Sequence, residues 1–351
     1  MNLDELDLAG LDPDGMWERI SELPQQCVDA WRLVESFQLP ESYGQADNVV
    51  ISGLGGSAIG ADLARTLAQA SSSVPIAVVR EYILPEYVDD RTLVIASSYS
   101  GNTEETLAAL DEAIARGAKC VGVGTGGRLQ QRCHDAGIPF LRFDYKSAPR
   151  AALGYSLFCL AGVLYRAGLL PIAVGELQEA VQVMRAWQQE VAPGVPTADN
   201  AAKQLAIRIH GHIPVVYGAG TLSEVARRWK GQLNENSKSW GFFEVMPELN
   251  HNAVLGYENP GQLTDRMIVI MLRSQGDHPR VSVRFDVTAQ ILAQRHVPLE
   301  TVWARGDSPL EQMLSIIHFG DYVSLYLAFL YRSDPTVIGA INYLKESLAR
   351  A

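Results

Sequence analysis

Basic residues are in short supply: 29 Lys and Arg stand against 40 Asp and Glu, a formal net charge of −11, and no run of them forms a block. Such a balance argues against nonspecific nucleic-acid binding, so any anionic ligand has to be drawn in locally, by helix ends and one or two arginines. Cysteine is scarcer still. Cys27, Cys120, Cys133 and Cys159 lie far apart, with no CxxC and no Cys/His pair at zinc-ligand spacing. No disulfide framework and no metal site is expected from them; they read as reduced thiols of a cytoplasmic protein. The opening MNLDELDLAGLDPDGM is acidic and lacks the basic region and apolar core of a signal peptide. Long apolar runs are missing too. The most membrane-like stretch, 151–174, is broken by Arg166 and ends near Pro171, which leaves only 15 residues between Arg150 and Arg166. A membrane span needs about 20, so a core helix is expected and no membrane partner.

What is present describes an ordinary globular chain, 47% hydrophobic and 20% charged over 351 residues, long enough for two domains. Residues 1–45 read as a helical extension, with apolar positions at Trp17, Ile20, Val28, Trp31, Leu33 and Val34. From Asn48 onward, β-rich runs (49–51, 76–79, 93–96, 120–123) alternate with helical patterns, which predicts a parallel sheet flanked by helices over 46–192. Two prolines and a glycine in 191–196 mark a linker, and the α/β alternation restarts over 197–351. Val215–Gly220 enters a helix much as Val49–Gly53 does, so the fold class expected is α/β with two similar domains in tandem.

The most informative segment is Ser98-Tyr99-Ser100-Gly101-Asn102-Thr103. It follows the apolar run at 92–96 and precedes a helical pattern carrying Leu107, Leu110 and Ile114. A strand feeding a hydroxyl-rich turn that opens into a helix offers hydroxyls and unpaired N–H groups to a compact anion. Ser and Thr also favour helix starts for capping alone. Gly53-x-Gly55-x-x-Ala58, with Glu81 further on, formally matches a dinucleotide fingerprint. However, Ser57 at that helix start together with the second hydroxyl turn suits a single phosphomonoester better.

Other residues are ambiguous from spacing. Arg150, beside Pro149, is either surface decoration or a fork that closes the phosphate site. His251 stands in the polar cluster Glu248–Asn252, which marks a loop. Lys345 falls within the apolar arc of a helix expected to start at Asp334-Pro335, and would either snorkel outward or point into a cleft. Glu235 lies opposite the Val225, Trp229 and Leu233 stripe, so periodicity predicts an exposed carboxylate.

Together these segments resemble the sugar isomerase (SIS) domain family, and more narrowly its bifunctional phosphoglucose/phosphomannose isomerase branch. The resemblance runs from about residue 47 to the C-terminus. It rests on GLGGSAIG (53–60), SYSGNTEET (98–106), PRAALGY (149–155), NENSK (234–238), ELNHN (248–252) and INYLKE (341–346). It implies two tandem SIS-type domains and a substrate phosphate held by Gly56, Ser57, Ser98, Ser100, Thr103 and Arg150. It assigns Glu235 as the base that moves a proton between C1 and C2. His251 and Lys345 would serve ring opening and stabilise the alcohol or enediolate. It further implies a sugar phosphate substrate, no cofactor and no metal, and a homodimer whose subunits share the active site. The alternatives are a phosphosugar-binding regulator without turnover and an amino-sugar phosphate isomerase; the last three motifs favour the isomerase branch.

Overall fold

The computed structural model describes residues 2–5, 8–348 and 350. The chain divides into two compact units. One comprises Glu22–Val183 with Ser308–Glu311; the other comprises Met1–Ser21, Met184–Asp307 and Gln312–Ala351. The first residues therefore group with the C-terminal unit, and the rest of the segment before residue 46 groups with the N-terminal one.

Short helices α1 (Leu8–Leu11) and α2 (Met16–Ser21) open the chain, and α3 (Leu23–Ser36) follows with Pro24 in its first turn. Strands β1 (Asn48–Ser52), β2 (Ile76–Val79), β3 (Thr92–Ser98), β4 (Lys119–Gly124) and β5 (Phe140–Arg142) form one sheet in the order β2-β1-β3-β4-β5. Every pairing is parallel. Helices α4 (Gly55–Ala68), α5 (Glu104–Ala115) and α6 (Gly127–Asp135) make the crossovers. The two central strands are apolar runs without alternation, as a sheet covered on both faces requires. Val50, Val94, Ala96, Leu107, Leu110, Cys120, Leu129 and Cys133 share one core under α5 and α6. On the other side α7 (Leu153–Arg166) is buried from Leu153 to Leu164, as expected of a core helix. Gly162 lets α3 approach it, since a Cβ there would meet Val34 Cγ2 at 2.1 Å.

After α8 (Val174–Val191) and α9 (Ala201–Ile209) comes the second sheet. Its strands are β6 (Ile213–Ala219), β7 (Phe242–Met246), β8 (Met267–Arg273) and β9 (Leu299–Trp303), in the order β7-β6-β8-β9, again all parallel. Helices α10 (Ser223–Glu235) and α11 (Pro279–Gln294) flank it. The long apolar α12 (Pro309–Leu330) is 94% buried across its most apolar window, so it is a core helix. Helix α13 (Gly339–Leu348) ends the fold. It begins four residues later than an N-cap at Asp334 would give. Asp334 Oδ1 instead accepts the N–H groups of Thr336 (2.7 Å) and Val337 (3.4 Å), a local turn that ends before the helix.

Candidate active site

Adjacent parallel strands β1 and β3 end side by side, with Ser52 opposite Ala96, so the turns that follow them meet at one sheet edge. Helix α4 starts there with no side-chain cap on Leu54, which leaves its first N–H groups to other partners. Ser57 Oγ accepts the N–H of Tyr99 at 3.1 Å, which ties the two turns together. Ser98 Oγ lies 2.8 Å from Thr103 Oγ1 and accepts the N–H of Gly101 at 3.1 Å. Ser100, exposed, accepts the N–H of Asn102 at 3.2 Å. A hydroxyl that accepts a main-chain bond keeps its own O–H to donate. Ser57 and Ser100 are therefore oriented acceptors for the backbone and remain donors for an anion.

Two glycines are required here by contact. Gly101 has φ +68°, and a Cβ on it would stand 1.8 Å from Gly126 O, which packs the β3–α5 turn against the start of α6. A Cβ on Gly56 would meet Pro149 O at 2.8 Å and Arg150 N at 3.2 Å. Through that contact the helix start and the Pro149–Ala151 turn are neighbours, and Ser156 Oγ donates to Gly56 O at 3.0 Å to hold the junction. Tyr99 adds a second tie. Its hydroxyl donates to Tyr145 O (2.5 Å) and accepts from Ser147 N (2.8 Å), fixing the segment that leads to Arg150. Arg150 itself is only 2% exposed, so the surface reading of this arginine does not hold. Burying a guanidinium is costly unless it is paired, and the Pro-fixed turn holds it in place. Gly56, Ser57, Ser97, Tyr99, Phe143, Pro149 and Ser156 line a small hollow at this edge. Larger hollows exist in the C-terminal unit, one of about 330 Å³ beside β9 and one of about 440 Å³ beside Trp240. The latter also carries hydroxyls, from Ser237, Ser239, Tyr331 and Ser333, but its lining does not include the first turn of an α-helix as Gly56 and Ser57 do.

In the C-terminal unit, Glu235 is the last residue of α10 and is half-buried rather than exposed. It does not stand opposite the packed face: it shares a helical row with Arg228 and Gln232, both buried, which lie seven and three positions earlier. Residues beyond the helix also fold back along it, with Ser239 N donating to Leu233 O at 3.0 Å and Asn234 Nδ2 to Ser239 O at 2.8 Å. His251 closes the short turn Glu248–His251 and is exposed. Its neighbours are fixed: Asn250 Nδ2 donates to Thr288 Oγ1 (2.8 Å) and Asn252 Nδ2 to Glu248 Oε1 (3.0 Å). Lys345 lies on α13, none of whose residues is buried within this chain. The apolar arc is present, with Ile341, Leu344 and Leu348 all exposed, so the arc does not mark a face buried in the single chain. Among the described residues, no group of three or more His, Cys, Asp and Glu side chains is gathered as metal ligands. Sequence spacing did not single out Tyr99 as a bridge or Ser156 as a buttress; a tyrosine between two serines gave the only local signal.

A model of the bacterial phospho-glucose isomerase C-terminal SIS domain matches residues 198–348, and a SIS domain model matches residues 42–133. The chain is 41% identical to a bifunctional phosphoglucose/phosphomannose isomerase of Caldicellulosiruptor bescii, covering 95% of this chain and 99% of that protein. It is 37% identical to the protein of the same name from Aquifex aeolicus, over 86% of this chain and 90% of the relative. Among solved structures, the C-terminal domain of glucosamine-fructose-6-phosphate aminotransferase from Francisella tularensis superposes with a TM-score of 0.75 at 15% identity, over 96% of this chain and 100% of that one, a likeness of fold. The tandem parallel sheets, the hydroxyl turns and full-length relatedness agree: this chain belongs to the bifunctional phosphoglucose/phosphomannose isomerase family of SIS-domain proteins.

Proposed function

We propose that this chain is an aldose–ketose isomerase that interconverts glucose 6-phosphate and fructose 6-phosphate, and mannose 6-phosphate as well, through a common cis-enediol. The observation that carries the reading is the match over nearly the whole of the Caldicellulosiruptor protein. The hydroxyl turns of the first sheet support it chemically. Gly56, Ser57, Ser98, Ser100, Thr103 and Arg150 hold the phosphate; charge-assisted bonds of this kind contribute roughly 1.5–3 kcal/mol each. That remote binding energy orients the reacting carbons.

Glu235 is the base. It takes the proton from C2 of the aldose and returns it to C1 of the enediol, so one carboxylate serves both half-reactions. His251 and Lys345 open the pyranose ring and stabilise the alkoxide or enediolate. Positioned acid–base groups of this type contribute about 10²–10⁴-fold. Epimers at C2 lose their difference in the enediol, which is why one site serves glucose and mannose phosphates. The enzyme acts in the cytoplasm as a homodimer whose histidine comes from the partner subunit. The exposure of His251 and of the apolar arc of α13 in the single chain is in keeping with that assembly.

A coupled assay on glucose, mannose and glucosamine 6-phosphates side by side tests the substrate class. Turnover of glucosamine phosphate alone would replace the reading with amino-sugar chemistry, and binding without turnover would make the protein a regulator. Glu235→Gln is expected to lower kcat by about 10³-fold; near-wild-type turnover would remove Glu235 from the mechanism.

A further inference from the structure

The residue that ends α10 is followed by two of the most deeply buried polar side chains in the unit. Asn236 is 0% exposed and Ser237 is 1% exposed, and both bond to Ser324 of α12. Asn236 Nδ2 donates to Ser324 Oγ at 3.0 Å, and Ser237 Oγ donates to Ser324 O at 2.6 Å. Ser324 Oγ in turn donates to Asp321 O at 2.7 Å. One turn earlier on α12, the Asp321 carboxylate takes Arg228 Nη2 (2.9 and 3.2 Å) and Gln232 Nε2 (2.9 Å) from α10. The helices touch closely here, because a Cβ on Gly320 would stand 2.2 Å from the indole of Trp229. On the outer side Lys238, held at φ +53°, donates its ammonium to Glu235 O (2.9 Å), Asn236 O (3.3 Å) and Asp334 O.

We infer that Ser324, through Asn236 and Ser237, is a positioning residue that fixes the main chain on which Glu235 stands. A helix end leaves its last carbonyls unpaired and frays unless other groups take them. A proton-transferring carboxylate tolerates little of this, since a misplacement of about 1 Å costs on the order of 10²-fold. The C-terminal half of α10 and the residues after it are instead clamped from Arg228 to Lys238, and the half-buried Glu235 side chain extends from a framework held by α12. The inference rests on the reading of Glu235 as the base.

Two variants test it. Ser237→Ala removes only a donor, because a carbonyl inside a helix keeps its in-helix N–H. Ser324→Ala removes the acceptor of Asn236. For each, kcat on fructose 6-phosphate is expected to fall about tenfold or more while KM stays within about twofold, since the phosphate is held elsewhere. The acid limb of the kcat–pH profile is expected to move, because the base changes its surroundings. A purely structural role would lower thermal stability and the active fraction and leave that limb in place. Asn236→Ala combined with Ser324→Ala should cost no more than the larger single loss, as two changes on one bond do. Folded Ser237→Ala with unchanged kcat, or a loss with an unmoved acid limb, overturns the inference; should Ser324→Ala fail to fold, Ser237→Ala decides alone. Glu235→Gln assayed in parallel separates the two failures: an active Glu235→Gln refutes the base, and an inactive one beside a normal Ser237→Ala refutes only the clamp.

Discussion

Replacing Gly56 with alanine opposes two known effects at one atom. In the first turn of α4, alanine is favoured over glycine by roughly 1 kcal/mol of helix propensity. The new Cβ, however, would sit 2.8 Å from Pro149 O and 2.9 Å from Pro149 C. Carbon atoms prefer separations of about 3.5–4.0 Å, so the Pro149–Arg150 turn and the helix have to part by about 0.5 Å or more. The helix cannot simply retreat, because Ser156 Oγ holds Gly56 O at 3.0 Å. Overpacking of this kind costs about 1–3 kcal/mol, which cancels or outweighs the propensity gain and leaves stability lowered by about 2 kcal/mol at most. The larger effect falls on binding. If the shift costs Arg150 one charge-assisted bond to the substrate phosphate, about 1.5–3 kcal/mol is lost, or roughly 10- to 150-fold in affinity. The assay is KM for fructose 6-phosphate together with Ki for inorganic phosphate as a competitive inhibitor, and both should rise in parallel. A KM and Ki within about twofold of the parent would show that the Gly56–Arg150 contact does not shape the phosphate site.

Two further expectations concern buried titratable groups. His318 is fully buried, with Nε2 3.0 Å from Ile20 O, and burial pulls its pKa from 6.5 down to about 4. The unfolded chain therefore takes up a proton below pH 6.5 that the folded chain refuses until about pH 4, so stability falls as pH drops through that window. The loss reaches about 3 kcal/mol at its lower end; urea midpoints measured between pH 7 and pH 4 should decline for the parent and decline less for His318→Gln. The four thiols are all buried, with Cys133 pushed up to about 11, Cys120 to about 12, and Cys27 and Cys159 higher still by loss of hydration. A thiol reagent at pH 8 should label none in the native state and all four in denaturant; rapid native labelling would show that the core around them opens.

The elements legible in the sequence were those whose signal is local. The strands at 49–51, 76–79, 93–96 and 120–123, the core helix after Arg150 and the turn 98–103 all stand where apolar runs and punctuating residues put them. Strand β7 gave no such signal, because it lies at a sheet edge and shows neither a buried run nor a clean alternation along Phe242–Met246. Arg150 was ambiguous for a different reason. Its backbone packs on Gly56, ninety-odd positions earlier, where a Cβ would stand 3.2 Å from Arg150 N, and that is a contact between elements rather than a property of either. Glu235 is similar: the apolar stripe of Val225, Trp229 and Leu233 put it outside the packed face, whereas that face also includes the buried polar residues Arg228 and Gln232 beside it, which bond Asp321 of α12.

The sheet orders explain why only the first half carries the hydroxyl motif. Taken strand for strand, β7-β6-β8-β9 repeats β2-β1-β3-β4, so the turn after β8 occupies the place that the turn after β3 occupies in the first sheet. In the first, Ser98 to Thr103 leaves hydroxyls to donate. In the second, a carboxylate of the chain fills the turn: Asp277 Oδ2 accepts the N–H of Ser274 at 3.1 Å, and Ser274 Oγ accepts that of Gly276 at 2.8 Å. Ser274 Oγ also bonds Gln312 Oε1, and burial raises the Asp277 carboxyl above its ordinary range. A turn whose donors already serve an internal acid has little to offer a doubly charged ester, and a second anion beside Asp277 would be repelled. The two domains thus share an architecture and differ in a handful of side chains at one sheet edge. Those side chains, rather than the fold, decide which half offers hydroxyls to an anion.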